Sequence, residues 1–297
     1  MTVTVAPTLG PRREFAIVLS GGGARGFSHA GVLRGLDHLG YRPSAVVGVS
    51  MGAIVGATYA SRADWYEALL ALDMRAFPQP LRRIGGPPSL GERVRYPMRL
   101  ARVVWQTFFG WGAGTTALAP VRATLDRLTL RSRLEAARVP VAVCATDLHT
   151  GRRVVLRAGP TSDALHASAA LAGVAPPFAR GAELLADGVY ADIAPVDVAR
   201  SFGCEVVIAV DAGLHLAGGD VRNGFEALFR AVEICHLRHA DLRFAEADLV
   251  LRPPFRRSID TLDFGAKRES IAAGIAAVRA QRHALARLLT RPGPAAP

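Results

Sequence analysis

Apolar positions along the chain fall into short unbroken runs that alternate with longer stretches of helical period. Phe15 to Leu19 and Ala45 to Val49 are runs without polar alternation, as expected of strands covered on both faces. Val32, Leu33, Leu36 and Leu39 recur at helical spacing after the first run. Met51 to Ala60 has no polar face at all and predicts a packed helix. The pattern then predicts helices over 64–72 and 121–134, a buried strand over 139–146 and a hairpin partner over 153–157. A short helix over 163–171, a strand over 205–210, a helix over 224–243 and a strand over 247–251 follow. The last predicted element is one helix over 266–289, with Ile271, Ile275 and Val278 on one face. Alternating strands and helices predict an α/β fold, and with no linker in the middle the 297 residues read as one domain. Its core spans about 14–290, with disordered tails over 1–12 and 291–297.

The pattern breaks between about 73 and 118. Phe77-Pro78-Gln79-Pro80, Gly85-Gly86-Pro87-Pro88 and Gly91 stop regular structure, and 93–114 then mixes Arg93, Arg95, Arg99 and Arg102 with Trp105, Phe108, Phe109 and Trp111. A basic, aromatic stretch of this kind suits a helical, lid-like insertion lying at a lipid interface. An ordinary helix whose aromatic residues cap the core gives the same pattern, since periodicity does not separate the two.

Charge narrows the partners without choosing one. The formal net charge is +11, and Lys267 is the only lysine among 36 basic residues. Such a field attracts phosphates, whether of nucleic acid or of an anionic membrane. The apolar runs are too short to cross a bilayer, and residues 1–13 lack the apolar core of a signal peptide. A cytoplasmic location follows as the expectation, with peripheral contact to anionic lipid. Cys144, Cys204 and Cys235 are odd in number and form no C-x-x-C pair, which suits a reducing compartment.

Chemistry gathers at three stretches. Ser50 sits between Gly48 and Gly52 where a strand runs into a helix, the arrangement of a nucleophile elbow. Earlier, Gly21, Gly22, Gly23 and Gly26 join the first strand to the first helix. Gly21, Gly23 and Gly26 match the G-x-G-x-x-G of dinucleotide sites, but those sites want an acidic residue after the second strand, and here that strand ends at Ser50. Backbone N–H groups converging on an oxyanion are the preferred use of this loop. Arg25 reads as a clamp on the loop, a contact to lipid phosphate, or a solvated residue of the first helical turn. Asp187-Gly188 follows the apolar run Leu184 to Ala186, and taken alone it signals a turn. His236 and His239 share a helical face without a third ligand at useful spacing, so no metal is expected. The order Ser50, Asp187, then His215, His236 or His239 also matches that of Ser-His-Asp hydrolases.

Taken together, Gly21 to Gly26, Gly48 to Gly52, Ala167-Ser168 to Pro177, and Asp187-Gly188 resemble, in order, the motifs of the patatin-like phospholipases. The resemblance is to the bacterial branch related to the esterase domain of neuropathy target esterase, and it covers Phe15 to about Val278. It implies a three-layer α/β/α sandwich with a mainly parallel central sheet. It also implies lipid acyl hydrolysis by a dyad of Ser50 and Asp187, without histidine, metal or cofactor. Gly21, Gly22 and Gly23 would form the oxyanion hole, supported by Arg25, Gly26, Gly48, Gly52 and Gly188. A lipid or lysophospholipid is then the expected substrate, and nucleic acid is not an expected partner. The family usually has Gly or Ala after the Asp-Gly pair, whereas this chain has Val189, expected to stiffen or crowd the loop. A catalytically silent relative that binds a nucleotide, phosphate or lipid on the same fold is the competing class.

Overall fold

The unbroken apolar run Phe15–Leu19 forms β1, a central strand whose every side chain is buried. A computed structural model describes residues 12–74, 118–172, 174–213, 221 and 224–290. Nearly all of the insertion read at 73–118, the tail segments 1–11 and 291–297, and His215 lie outside the described residues.

Among the described residues one sheet carries eight strands. They are β1, β2 (Ala45–Val49), β3 (Val141–Asp147), β4 (Arg153–Leu156), β5 (Phe178–Arg180), β6 (Glu183–Asp187), β7 (Val206–Val210) and β8 (Leu249–Leu251). β3, β2, β1, β7 and β8 lie side by side and parallel, while β4 and β6 join β3 antiparallel and β5 joins β6. The sheet is therefore mixed, with a parallel centre.

Alternate strand residues feed two cores. Phe15, Ile17, Leu19, Val46, Val143 and Ile208 point to one face. That face is covered by α1 (Ser28–His38), α2 (Met51–Ser61), α3 (Trp65–Ala71), α4 (Leu118–Leu128) and α5 (Thr161–Ala169). Ala16, Val18, Val47, Cys144 and Val207 point to the other, under α6 (Val196–Arg200) and the end of α7 (Gly224–Phe244). Two further helices, α8 (Lys267–Ala280) and α9 (Arg282–Leu289), complete the first face through Ile271, Val278, Leu285 and Leu289. This is the three-layer α/β/α arrangement.

Several elements differ from their expected bounds. The helix expected over 121–134 ends at Leu128, because Leu130 and Arg131 take positive φ of 55° and 51°. The single last helix divides at Gln281, with neither proline nor glycine to mark the break. The β5–β6 hairpin, turning at Gly181 (φ 60°), and the short α6 have no counterpart among the expected elements. No described helix is long and apolar enough to cross a membrane.

One piece of register positions the site. β3 pairs with β4 along one edge, so β2 and β6 must share the other. Val49 lies opposite Cys144, and Asp187 lies opposite the next residue, Ala145. The end of β2 and the end of β6 therefore meet on the same edge of β3.

Candidate active site

Ser50 follows β2 with φ 54° and ψ −124°, a conformation L residues rarely hold, and it caps the N-terminus of α2. Side chains on the flanking glycines would make this turn impossible. A Cβ on Gly48 would stand 2.4 Å from Ala53 Cα, and one on Gly52 would stand 2.2 Å from Leu19 O. The positive end of the α2 dipole thus faces the region around the Ser50 hydroxyl.

The turn is held from behind. Ser50 N–H donates to Ser168 Oγ at 2.9 Å, and Ser168 Oγ donates to Cys144 O at 2.6 Å. Ser168, fully buried on α5, thereby joins the elbow to β3.

Asp187 arrives from the opposite chain direction at the end of β6. Ser50 Oγ donates to Asp187 Oδ2 at 2.6 Å, and Val189 N–H donates to Asp187 Oδ1 at 3.0 Å. Thr146 Oγ1 donates to Asp187 O at 2.9 Å and accepts from Ala191 N–H at 3.1 Å, so β3 also holds the backbone on both sides of Gly188. A Cβ on Gly188 would lie 2.2 Å from Cys144 O, which explains the need for glycine there. Asp187 is 1% exposed. Burial pushes its carboxyl up to about 7, against the bonds from Ser50 and Val189 that favour the ionised form.

The glycine loop runs alongside. A Cβ on Gly21 would stand 2.2 Å from Val189 Cγ1 and 3.6 Å from Ser50 Cβ, so Val189 packs against the loop beside the serine. Gly23 (φ 52°) lies against Thr261, whose carbonyl accepts from Ala24 N–H at 2.8 Å. Gly26 gives room to Met51 at the start of α2, where a Cβ would stand 2.5 Å from Met51 Cγ. Arg25 is 8% exposed and donates to Ile259 O, so it ties the loop to the segment after β8 and is not a solvated residue.

The structure thus brings Ser50, Asp187 and Gly21 together, with Gly26, Gly48, Gly52 and Gly188 at the close backbone approaches around them, while Arg25 reaches to Ile259 O. It does not bring a described histidine to the pair. His236 packs its ring against Tyr190, with centroids 5.8 Å apart, and the bonds to the Asp187 carboxylate come from Ser50 and Val189. Nor do the described residues gather three or more His, Cys, Asp or Glu side chains that could hold a metal. Sequence reasoning missed Ser168 and Thr146 as site residues. Ser168 lies within one of the motif segments that carry the resemblance, but the sequence holds no signal for what its hydroxyl touches.

Comparison with known proteins places the chain in a family. The family model for patatin-like phospholipase matches residues 17–200. Lysophospholipase NTE1 of Cryptococcus neoformans is 30% identical over 201 residues, covering 68% of this chain and 11% of the relative. Human patatin-like phospholipase domain-containing protein 6 is 31% identical over 200 residues, covering 67% and 13%. The chain therefore spans between a tenth and a fifth of the length of the curated relatives it matches. Among solved structures, VipD from Legionella pneumophila is 12% identical with a TM-score of 0.48, over 93% of this chain and 68% of that one. With the family motifs in order and matched over more than half its length, this chain belongs to the patatin-like phospholipase family.

Proposed function

We propose that the protein hydrolyses acyl esters of lipids with Ser50 as nucleophile and Asp187 as the only general base. The observation that carries this reading is the 2.6 Å bond from Ser50 Oγ to a buried carboxylate that no described arginine or lysine neutralises. An aspartate near its usual pKa of about 3.9 is a weak base, and desolvation brings Asp187 towards the working pH. Ser50 passes its proton to Oδ2 and attacks the ester carbonyl, and the oxygen of the tetrahedral adduct takes hydrogen bonds from the loop Gly21 to Gly23. The adduct collapses with loss of the alcohol, to which Asp187 returns the proton. Water then attacks the acyl-enzyme by the same exchange, releasing the fatty acid and restoring Ser50.

A lysophospholipid is the substrate we assign, because a relative 30% identical is named a lysophospholipase. The arginine-rich, aromatic stretch 93–114 supports a lipid over a water-soluble ester. The test pairs a fluorophosphonate probe with fatty-acid release from lysophosphatidylcholine. Wild-type protein should be labelled at Ser50 and release fatty acid, and Ser50→Ala should do neither. Folded wild-type protein that takes no label and releases no acid would leave the binding-module reading in its place.

A further inference from the structure

The glycine loop is composed for freedom, yet its peptides are oriented one by one. Ser20 O accepts from His29 Nε2 at 2.8 Å, Gly21 O accepts from Ser20 Oγ at 3.1 Å, and Gly22 O accepts from Arg25 N–H at 3.1 Å. In a planar trans peptide the C=O and the following N–H point in opposite directions. Anchoring these three carbonyls therefore sets the N–H directions of Gly21, Gly22 and Gly23. Among the described residues none of the three N–H groups donates to a protein acceptor. Glycine puts little resistance in the way of a peptide flip, since no Cβ blocks either orientation. A flipped Gly21–Gly22 peptide would aim a carbonyl where a donor is needed.

Ser20 resists that flip through Gly21 O, and His29 holds the preceding peptide through Ser20 O. Ser20 is fully buried, and its Oγ is itself oriented by accepting from Ala212 N–H at 3.1 Å, beyond the end of β7. His29, on the first turn of α1, is also fully buried and is neither nucleophile nor base in the dyad. Burial pushes its imidazole down to about 4, so at neutral pH it carries a single ring proton. Nδ1 has no partner among the described residues, and the bond to Ser20 O requires that proton on Nε2. A neutral donor holds the carbonyl without setting a charge beside the loop.

We propose that Ser20 and His29 are positioning residues that latch the glycine-loop peptides with their N–H groups turned outward, so that the oxyanion hole is formed before substrate arrives. The inference rests on the dyad reading above and adds to it which residues prepare the loop. Neither side chain touches substrate.

The test is steady-state kinetics on a soluble short-chain nitrophenyl ester, with melting temperatures recorded in parallel. Ser20→Ala and His29→Leu should each lower kcat by about tenfold or more while KM stays within about threefold, because loss of a single oxyanion donor costs about 10²-fold or more and a latch loses only part of that. His29→Gln, which keeps an N–H near the Nε2 position, should recover most of the loss. If kcat stays within twofold of wild type in folded Ser20→Ala, the latch is wrong. It is equally wrong if His29→Gln is as slow as His29→Leu at equal melting temperature. Should His29→Leu fail to fold, Ser20→Ala decides alone. Should wild-type protein hydrolyse no ester, the hydrolase reading fails, and the latch is then judged on the amide resonances of Gly22 and Gly23 in glycine-labelled protein. Their displacement in Ser20→Ala supports it, and their constancy overturns it.

Discussion

Asp187 and Asp192 stand five residues apart, both buried, at 1% and 4% exposure, yet they live in opposite electrostatic surroundings. Asp192 is clamped by two arginines. Arg153 Nη1 lies 2.5 Å from Asp192 Oδ2, and Arg243 donates to both its oxygens, at 3.1 and 2.9 Å. Both guanidinium groups also bind Asp197, and its bonds to Arg153 above all hold its carboxyl well below the usual range. This network joins β4, α6 and α7 behind the loop that follows Asp187. Among the described residues the Asp187 carboxylate has only a hydroxyl and one backbone N–H. Burial alone therefore does not distinguish a base from a strut. The partners do, since two guanidinium groups occupy the oxygens of Asp192 in an ion-pair network, whereas the hydroxyl on Asp187 carries a proton that can be passed to it.

The largest effect should come from breaking the dyad. Ser50→Ala, Asp187→Asn and the double variant should each lose about 10³-fold or more in kcat, with nearly equal losses, because the two groups act as one unit. Losses that multiply in the double variant would show two independent contributions.

Breaking the arginine clamp should act on stability instead. Arg243→Leu leaves Asp192 with Arg153 as its remaining cation, and stability to urea should fall by about 1–3 kcal/mol, less than for a fully buried pair because the arginines are partly exposed. The acid limb of kcat/KM should stay in place. A shifted limb would mean that the two aspartates are electrically coupled.

Between these extremes lies Ser168→Ala. It removes the bridge between the elbow and β3, leaving Ser50 N–H and Cys144 O without that partner, at a cost of about 1–3 kcal/mol. Activity should fall roughly tenfold or less, since Oγ of Ser50 keeps its bond to Asp187. A loss as large as that of Asp187→Asn would promote Ser168 to the reacting groups.

The last effect is read from a pH profile of stability and leaves every rate aside. Because the Asp187 carboxyl is raised in the folded protein, its protonated form favours folding below about pH 4, and that advantage is lost as pH rises through about 7. Asp187→Asn should therefore gain stability relative to wild type between pH 4 and pH 8. A constant difference across that window would argue against a raised carboxyl.

The sheet centre and the elbow were legible because their signals are local. β1 and β2 begin and end at the residues where their apolar runs do, and Gly48, Ser50 and Gly52 announce a strained turn within five residues. Asp187 was not legible in that way. Asp-Gly does form a turn here, the short 3₁₀ turn Gly188–Tyr190, and only the family resemblance marked it as a partner for Ser50. Its proximity comes from a shared edge of β3, a fact of register between segments 137 residues apart. Ser168, Thr146 and the Asp192 clamp are likewise long-range pairings that no local pattern encodes. The break at Gln281 has no local mark either, for the sequence there remains helix-prone.

The raised carboxyl of Asp187 is the central claim, and a ¹³C NMR titration of aspartate-labelled protein reads it directly. The resonance missing from Asp187→Asn identifies the group. A midpoint near pH 7 is expected in wild type, moving little when Arg243 is replaced. A midpoint at or below about 4 would make Asp187 an ordinary ionised carboxylate and contradict its role as the tuned base.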